Sequence, residues 1–385
     1  MVEYLKTLWL VDTKQNKLMA YKTEDMSLIS SYDFPVLPDI LGKCHITVTS
    51  DGKSVYVLSC NLHKIFKFDI TSEKFTKTIR VADGASYISE GYPTCDSNTG
   101  VYSTPFFVSN TEENRISIIH DDQIRYETII SNQIGPGKSI IDSDGTGYVC
   151  GTLPDGHGNE IAILNSFSCK YTNYKNIYTD SVKPVDVIVD NHRNLYILRE
   201  DGSLFKVHYS TASLEIAYCS NPIKLVEKAL TLSKEMTFDN QDHIWIIGSD
   251  EEGNNLAKVD VKSGDLQKFK LPIDVLNAIT CDDSGRIFVL AGNTVYSVTK
   301  DGVPTPHIIG EELNCSGDMT GYRFAVVNKK QEDIDSKLDS IIQFVDSYEA
   351  LTALPSPSEN KLYITKKCVY RYVENKFVPL ITKEG

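Results

Sequence analysis

A short run that sets one aromatic residue among aliphatic neighbours recurs nine times along this chain. Leu8-Trp9-Leu10-Val11, Val55-Tyr56-Val57-Leu58, Leu195-Tyr196-Ile197-Leu198 and Ile244-Trp245-Ile246-Ile247 are four of them. The aromatic positions are Trp9, Tyr56, Phe107, Tyr148, Tyr196, Trp245, Phe288, Phe324 and Tyr363, spaced 36 to 51 residues apart. A period of ~40–50 residues is that of a four-stranded propeller blade. Around each run lie the parts of such a unit. Before it comes an apolar stretch and an acidic or glycine turn, as in Val187-Ile188-Val189 then Asp190-Asn191-His192-Arg193-Asn194. After it come alternating stretches such as Lys64-Ile65-Phe66-Lys67-Phe68-Asp69 and Lys74-Phe75-Thr76-Lys77-Thr78-Ile79. Alternation gives a strand one buried and one exposed face. A lone four-stranded meander cannot cover both faces, and stacking such units about an axis supplies the missing contacts.

The expected fold is therefore all-β: a single propeller of four-stranded antiparallel blades over residues 1–385, with eight blades as the central count and seven or nine as alternatives. The first unit opens directly on its aromatic run, so its inner strand is missing from the pattern. In the last unit Pro355 and Pro357 argue against an inner ladder strand. Asn221-Pro222 followed by Ile223, Val226, Ala229 and Leu230 predicts a short rim helix over 221–232. Residues 329–339 read as a charged insertion. For 331–344 two readings stand side by side, a helix through Ile334, Leu338 and Ile341, or a strand over 341–346.

The repeat resembles the YVTN/NHL-type propellers, a broad class that includes the SMP-30-like lactonases and virginiamycin B lyase. Asp51-Gly52-Lys53-Ser54-Val55-Tyr56-Val57 and Asp190-Asn191-His192-Arg193-Asn194-Leu195-Tyr196-Ile197 carry the resemblance, which extends over nearly the whole chain. It implies a fold and leaves function open, because one propeller frame hosts enzymes, sensors and scaffolds. The lactonase comparison implies a divalent cation, calcium or magnesium, held near the axis by carboxylate and amide oxygens. Asp186, Glu235 and Asn277, each near an inner strand, are the candidates on that alternative.

Composition narrows the partners. With 39 Lys+Arg against 52 Asp+Glu the net charge is −13, and no basic run or basic-aromatic face is present. Nucleic acid is therefore not an expected partner. No run of ~18 apolar residues exists to span a membrane as a helix. Nine cysteines, scattered and without a CxxC pair, read as free buried thiols in a reducing compartment. Met1-Val2-Glu3-Tyr4-Leu5-Lys6 runs into a strand pattern without a basic head or apolar core. The expectation is cytoplasmic synthesis without a signal peptide, with carriage in a virion or phage-like particle as one setting.

Motifs for chemistry are few. Gly135-Pro136-Gly137-Lys138-Ser139 looks like the end of a phosphate loop, but a strand start follows where a helix is required, so it reads as a turn. Asp142-Ser143-Asp144-Gly145 lacks the remaining ligands of a calcium loop. Acidic turns also stand at Asp51, Asp190, Asp239 and Asp282, and one per blade points to turn hydrogen bonding. No Gly-x-Ser-x-Gly elbow or HExxH helix is present. The reading leans away from catalysis, with no cofactor. It points to a recognition or scaffold subunit that binds a protein or glycan partner, for which a phage-tail baseplate or receptor-binding assembly is one setting. Tyr87, Glu90 and Tyr92 in one loop, and Asp155, His157, Asn159 and Glu160 in another, are the candidate contacts. A metal-dependent lactonase or lyase is the alternative.

Overall fold

The computed structural model describes residues 6–38, 40–49, 52–89, 94–95, 102–103, 105–129, 135–141, 146–152, 159–165, 171–174, 182–190, 194–210, 218–219, 223–239, 241–273, 275–282, 284–309, 342–344, 347–354, 357, 361–364, 368–373 and 376–382. The chain divides into two compact units, Met1–Ala325 and Val326–Gly385. Nearly every described element is a strand, and eight sheets of three or more strands follow one another in chain order. Seven lie in the first unit. The chain is a β-propeller protein.

Eight of the nine aromatic runs fall on strands, and the ninth, at Phe324, lies outside the described residues. In seven sheets the run forms the second strand, next to the innermost one. Ser54–Ser59, Asn194–Arg199 and Ile287–Ala291 are buried along their whole length. A strand covered on both faces has no reason to alternate, hence the unbroken apolar run. Burying each such aromatic ring stabilises the fold by about 1.5–3 kcal/mol.

Apolar clusters fill the gaps between neighbouring sheets of the first unit. Tyr56 and Leu58 of the second sheet pack with Phe106 and Val108 of the third. Phe107 and Ile118 of the third pack with Val149 and Ala162 of the fourth. Tyr148 and Ile161 meet Leu195 and Ile197, and Tyr196 and Leu198 meet Ile244 and Ile246. The Cys281 thiol of the seventh sheet donates to the Phe238 carbonyl of the sixth at 3.2 Å. Phe288 and Leu290 of the seventh share a cluster with Trp9 and Leu18 of the first. At the same seam the Arg286 guanidinium donates to the carbonyls of Thr23 at 2.5 Å and Glu24 at 2.9 Å. The sheets of the first unit thus close on themselves.

The first sheet has three described strands, Thr7–Asp12, Lys17–Lys22 and Leu28–Asp33, in keeping with the inner strand missing from its sequence pattern. In the second unit the expectation of antiparallel pairing throughout is corrected. Ile342–Phe344 pairs parallel to Leu362–Ile364, because a connection that carries the helix Tyr348–Thr352 lies between them. Such a connection lets the chain cross over, as a tight hairpin cannot. This strand agrees with the strand reading of 341–346, while the insertion 329–339 lies outside the described residues.

The rim helix predicted over 221–232 is also corrected. Ile223–Val226 is a strand on the outer side of Leu204–Ser210, and no helical turn follows among the described residues. Val226, Ala229 and Leu230 are buried, as an amphipathic spacing requires, but against the fifth and sixth sheets. A helix this short does not repay its nucleation, and the open sheet edge offers ladder hydrogen bonds instead.

Candidate polar layer and cavity at the propeller axis

Strand register brings one set of side chains together. In five sheets the inner-strand residue opposite the aromatic is Thr47, Ile140, Ile188, Thr237 or Thr280. In the third sheet Ser89 takes that place, its Oγ accepting the Phe107 N–H at 2.8 Å. Two residues earlier, on the same strand face, stand His45, Tyr87, Lys138, Asp186, Glu235 and Ala278. Consecutive inner strands thus present one layer of side chains. The rings of His45 and Tyr87 lie 4.9 Å apart.

The centre of this layer is a buried ion cluster. Lys138 Nζ is 3.7 Å from Asp186 Oδ2 and pairs more closely with Glu235 Oε1. Asp186 also accepts backbone N–H groups, from Val187 at Oδ1 and from Met236 at Oδ2, both at 2.8 Å. The side chains of Asp186 and Glu235 are 7% and 8% exposed, so their charges need these partners. Three consecutive sheets are tied by one lysine.

Above the layer opens a cavity of about 540 Å³, lined by Tyr87, Lys138, Cys150, Lys183, Ser233 and Lys234 among others. Its walls come from the starts of inner strands and the ends of second strands, the leading end of the propeller. Lys43 of the second sheet stands over the Tyr87 ring at 5.2 Å. The Cys150 thiol, opposite Lys138, is held protonated well above its ordinary range by burial and then by the Asp186 charge. A thiol kept from ionising is a poor nucleophile.

The opposite, trailing end carries the acidic turns, and they work as hydrogen-bond acceptors. Asp190 accepts the Asn194 N–H at 2.9 Å and the Tyr196 hydroxyl at 3.0 Å. Asp239 accepts the His243 N–H at 3.0 Å and the Trp245 indole N–H at 2.8 Å. Asp282 accepts the Arg286 N–H at 2.9 Å. The carboxylate closes the turn with one oxygen and, in the first two, anchors the repeat's aromatic with the other.

Of the residues singled out from sequence, Tyr87, Asp186 and Glu235 belong to the axial layer. Asn277 stands one residue before the layer position Ala278, and its Oδ1 accepts the Gly292 N–H at 2.8 Å, from the hairpin turn between Ile287–Ala291 and Thr294–Val298. A shift of one residue turns a strand side chain to the other face. Asn159 and Glu160 begin the strand Asn159–Asn165. Glu90, Tyr92, Asp155 and His157 lie outside the described residues. Lys138, which sequence reading left in a turn, is the residue it missed. Lys138, Asp186, Glu235 and Ala278 each stand ten residues before their aromatic, and that offset was the available signal.

No family model and no curated protein matches the chain. Solved structures do. A functionally unknown protein from Desulfotomaculum acetoxidans DSM 771 aligns with TM-score 0.58 at 11% identity, over 82% of this chain and 98% of that one. A putative 6-phosphogluconolactonase from Bacteroides uniformis ATCC 8492 gives 0.56 at 13%, over 80% and 98%. The β-propeller domain of Myceliophteria thermophila Cps50 (Swd1) gives 0.53 at 8%, over 78% and 96%. At these identities the likeness is one of fold. No helix among the described residues is long and apolar enough to cross a membrane.

Proposed function

We propose that this propeller is a non-enzymatic recognition module whose leading end, around the axial cavity, meets a protein partner. The observation that carries this reading is where the exposed aliphatic side chains fall. Leu37 and Ile40 precede the second sheet's inner strand, Leu232 begins the sixth's, Val275 precedes the seventh's, and Ile129 and Ile308 end outermost strands. All six belong to the leading end, and Leu37 and Ile308 are 73% and 79% exposed. Among the described residues of the first unit, the trailing end has Leu28, Ile223 and Val303. Exposed apolar side chains gathered at one end, rimmed by charge, suit a protein interface.

The axial chemistry supports binding over metal-dependent hydrolysis. A lactonase-type site asks for oxygen ligands converging on a cation. Here the Lys138 ammonium already takes up both Asp186 and Glu235, and the Asn277 amide oxygen is engaged by the Gly292 N–H. These residues do not fit a calcium or magnesium site. The wider setting we propose is a subunit of a larger assembly, with a phage-tail-like particle as one form.

The test is affinity capture from the native source with Leu37→Glu/Val275→Glu and, as control, Leu28→Glu/Val303→Glu. The reading expects a retained protein that only the first variant loses. Equal retention by both variants, no retained protein, or chelator-sensitive lactone hydrolysis by the purified chain would overturn it.

A further inference from the structure

We infer that the mouth of the axial cavity is an anion-binding site, built to take a carboxylate or phosphate group. The inference deepens the recognition reading above by naming the chemistry of what is recognised. Lysines from four sheets converge there: Lys43 over Tyr87, and Lys138, Lys183 and Lys234 on the cavity wall. Lys138 is committed to Asp186 and Glu235. The other three are exposed, and among the described residues none of them pairs with a carboxylate. Among the described residues Lys234 Nζ reaches only the Leu276 carbonyl, at 3.3 Å. Glu200 is the one carboxylate among the described lining residues, and it forms no ion pair with Lys183, although the Glu200 N–H donates to the Lys183 carbonyl.

This local excess of positive charge stands in a chain of net charge −13. Like charges held together repel, so a cluster that the rest of the sequence does not demand calls for an opposite charge to offset it. A second observation concerns the wall itself. Ser233 is 5% exposed and lines the cavity, yet its hydroxyl has no hydrogen-bond partner among the described residues. Buried hydroxyls are normally paired, and a small rotation gives an anionic oxygen the missing donor. Lysines act as point charges with rotatable donors and impose no planar geometry, so carboxylate and phosphate are equally suited. A cavity of about 540 Å³ accepts either a free small acid or the acidic side chains of a docked segment.

The probes are inorganic phosphate, citrate and a fluorescein-labelled hexaglutamate peptide, titrated by calorimetry and fluorescence anisotropy. Saturable binding is expected for at least one, weakening as salt is raised. Lys183→Met/Lys234→Met is expected to weaken it by about tenfold or more, and Ser233→Ala by a few-fold, since two charges are lost in the first variant and one neutral donor in the second. Lys262→Met/Lys268→Met, away from the mouth, serves as control and leaves affinity unchanged. Citrate or phosphate binding as tightly as hexaglutamate identifies a free acid as the source, and tighter peptide binding identifies an acidic segment; both support the site. No saturable binding by any probe, or equal weakening by the two lysine pairs, overturns it. Capture of a partner that is lost in Leu37→Glu/Val275→Glu but kept in Lys183→Met/Lys234→Met would leave the recognition reading standing while this inference fell. Circular dichroism confirms folding, and the single variant Lys43→Met repeats the test at an exposed residue.

Discussion

Lys138 and Glu235, 97 residues apart in sequence, form an ion pair that reaches from the fourth sheet to the sixth, with Asp186 of the fifth sheet 3.7 Å from the same ammonium. The pair joins sheets that are not adjacent in the order of the chain. Removing the lysine strands two buried carboxylates without their cation. Lys138→Met should lower unfolding free energy by about 3–5 kcal/mol in urea denaturation. Adding Glu235→Gln to that variant should restore part of the loss, because one unpaired charge is gone. Equal stability of wild type and Lys138→Met would show that the cluster contributes nothing.

Asp239 binds the Gln241 and His243 N–H groups and the Trp245 indole. Asp239→Ala should destabilise the protein by about 2–4 kcal/mol, as lost hydrogen bonds to a charged group leave a buried indole N–H unpaired. Trp9 and Trp245 are the only tryptophans. The change should therefore appear in the fluorescence of a Trp9→Phe background, with thermal melting as the stability readout.

His307 accepts or donates a 2.8 Å hydrogen bond with Ser297 Oγ, and its pKa is lowered from the ordinary 6.5, first by burial and then by the Arg286 charge. A depressed imidazole makes the unfolded chain bind the proton more readily. Its contribution is thus present above the ordinary histidine range and lost as pH falls below it. An NMR titration should place the His307 midpoint below 6.5, and His307→Gln should flatten the decline of stability on the acid side.

Cys150 and Cys60 both have thiols raised by burial. Since the thiolate is the reacting species, native Cys150 should resist a disulfide reagent at pH 8 that labels all nine cysteines once the chain is unfolded. Mass spectrometry of the labelled peptides reports this directly. Rapid labelling of Cys150 in the folded protein would contradict the burial described.

The legible part of this protein was what repeats. Tyr148, Tyr196 and Trp245 announced their strands because a two-sided burial tolerates only apolar neighbours, and that constraint recurs in the seven larger sheets of the first unit. Asp190, Asp239 and Asp282 were readable as turn acceptors for the same reason. The Lys138 cluster was harder to see. Its members are single residues on three separate strands, and Gly135-Pro136-Gly137 made Lys138 look like part of a loop. Asn277 was chosen for its chemistry, one position away from the face that looks inward. The helix expected after Pro222 failed because spacing records which side chains are buried, whereas an open strand edge decided the backbone. Glu90, Tyr92, Asp155 and His157 carry no repeat to place them.

The seam between Arg286 and Thr23 sets the order in which the molecule can mature. A ribosome must deliver some 260 further residues after Thr23 before its closing partner exists, on the order of tens of seconds at ~5–20 residues per second. Throughout that interval the face of the first sheet opposite Trp9, with Leu8, Leu10 and Met19, waits for the seventh. Such a nascent chain is exposed to mispairing and to chaperone capture, and its final closure is a long-range event with a correspondingly slow rate.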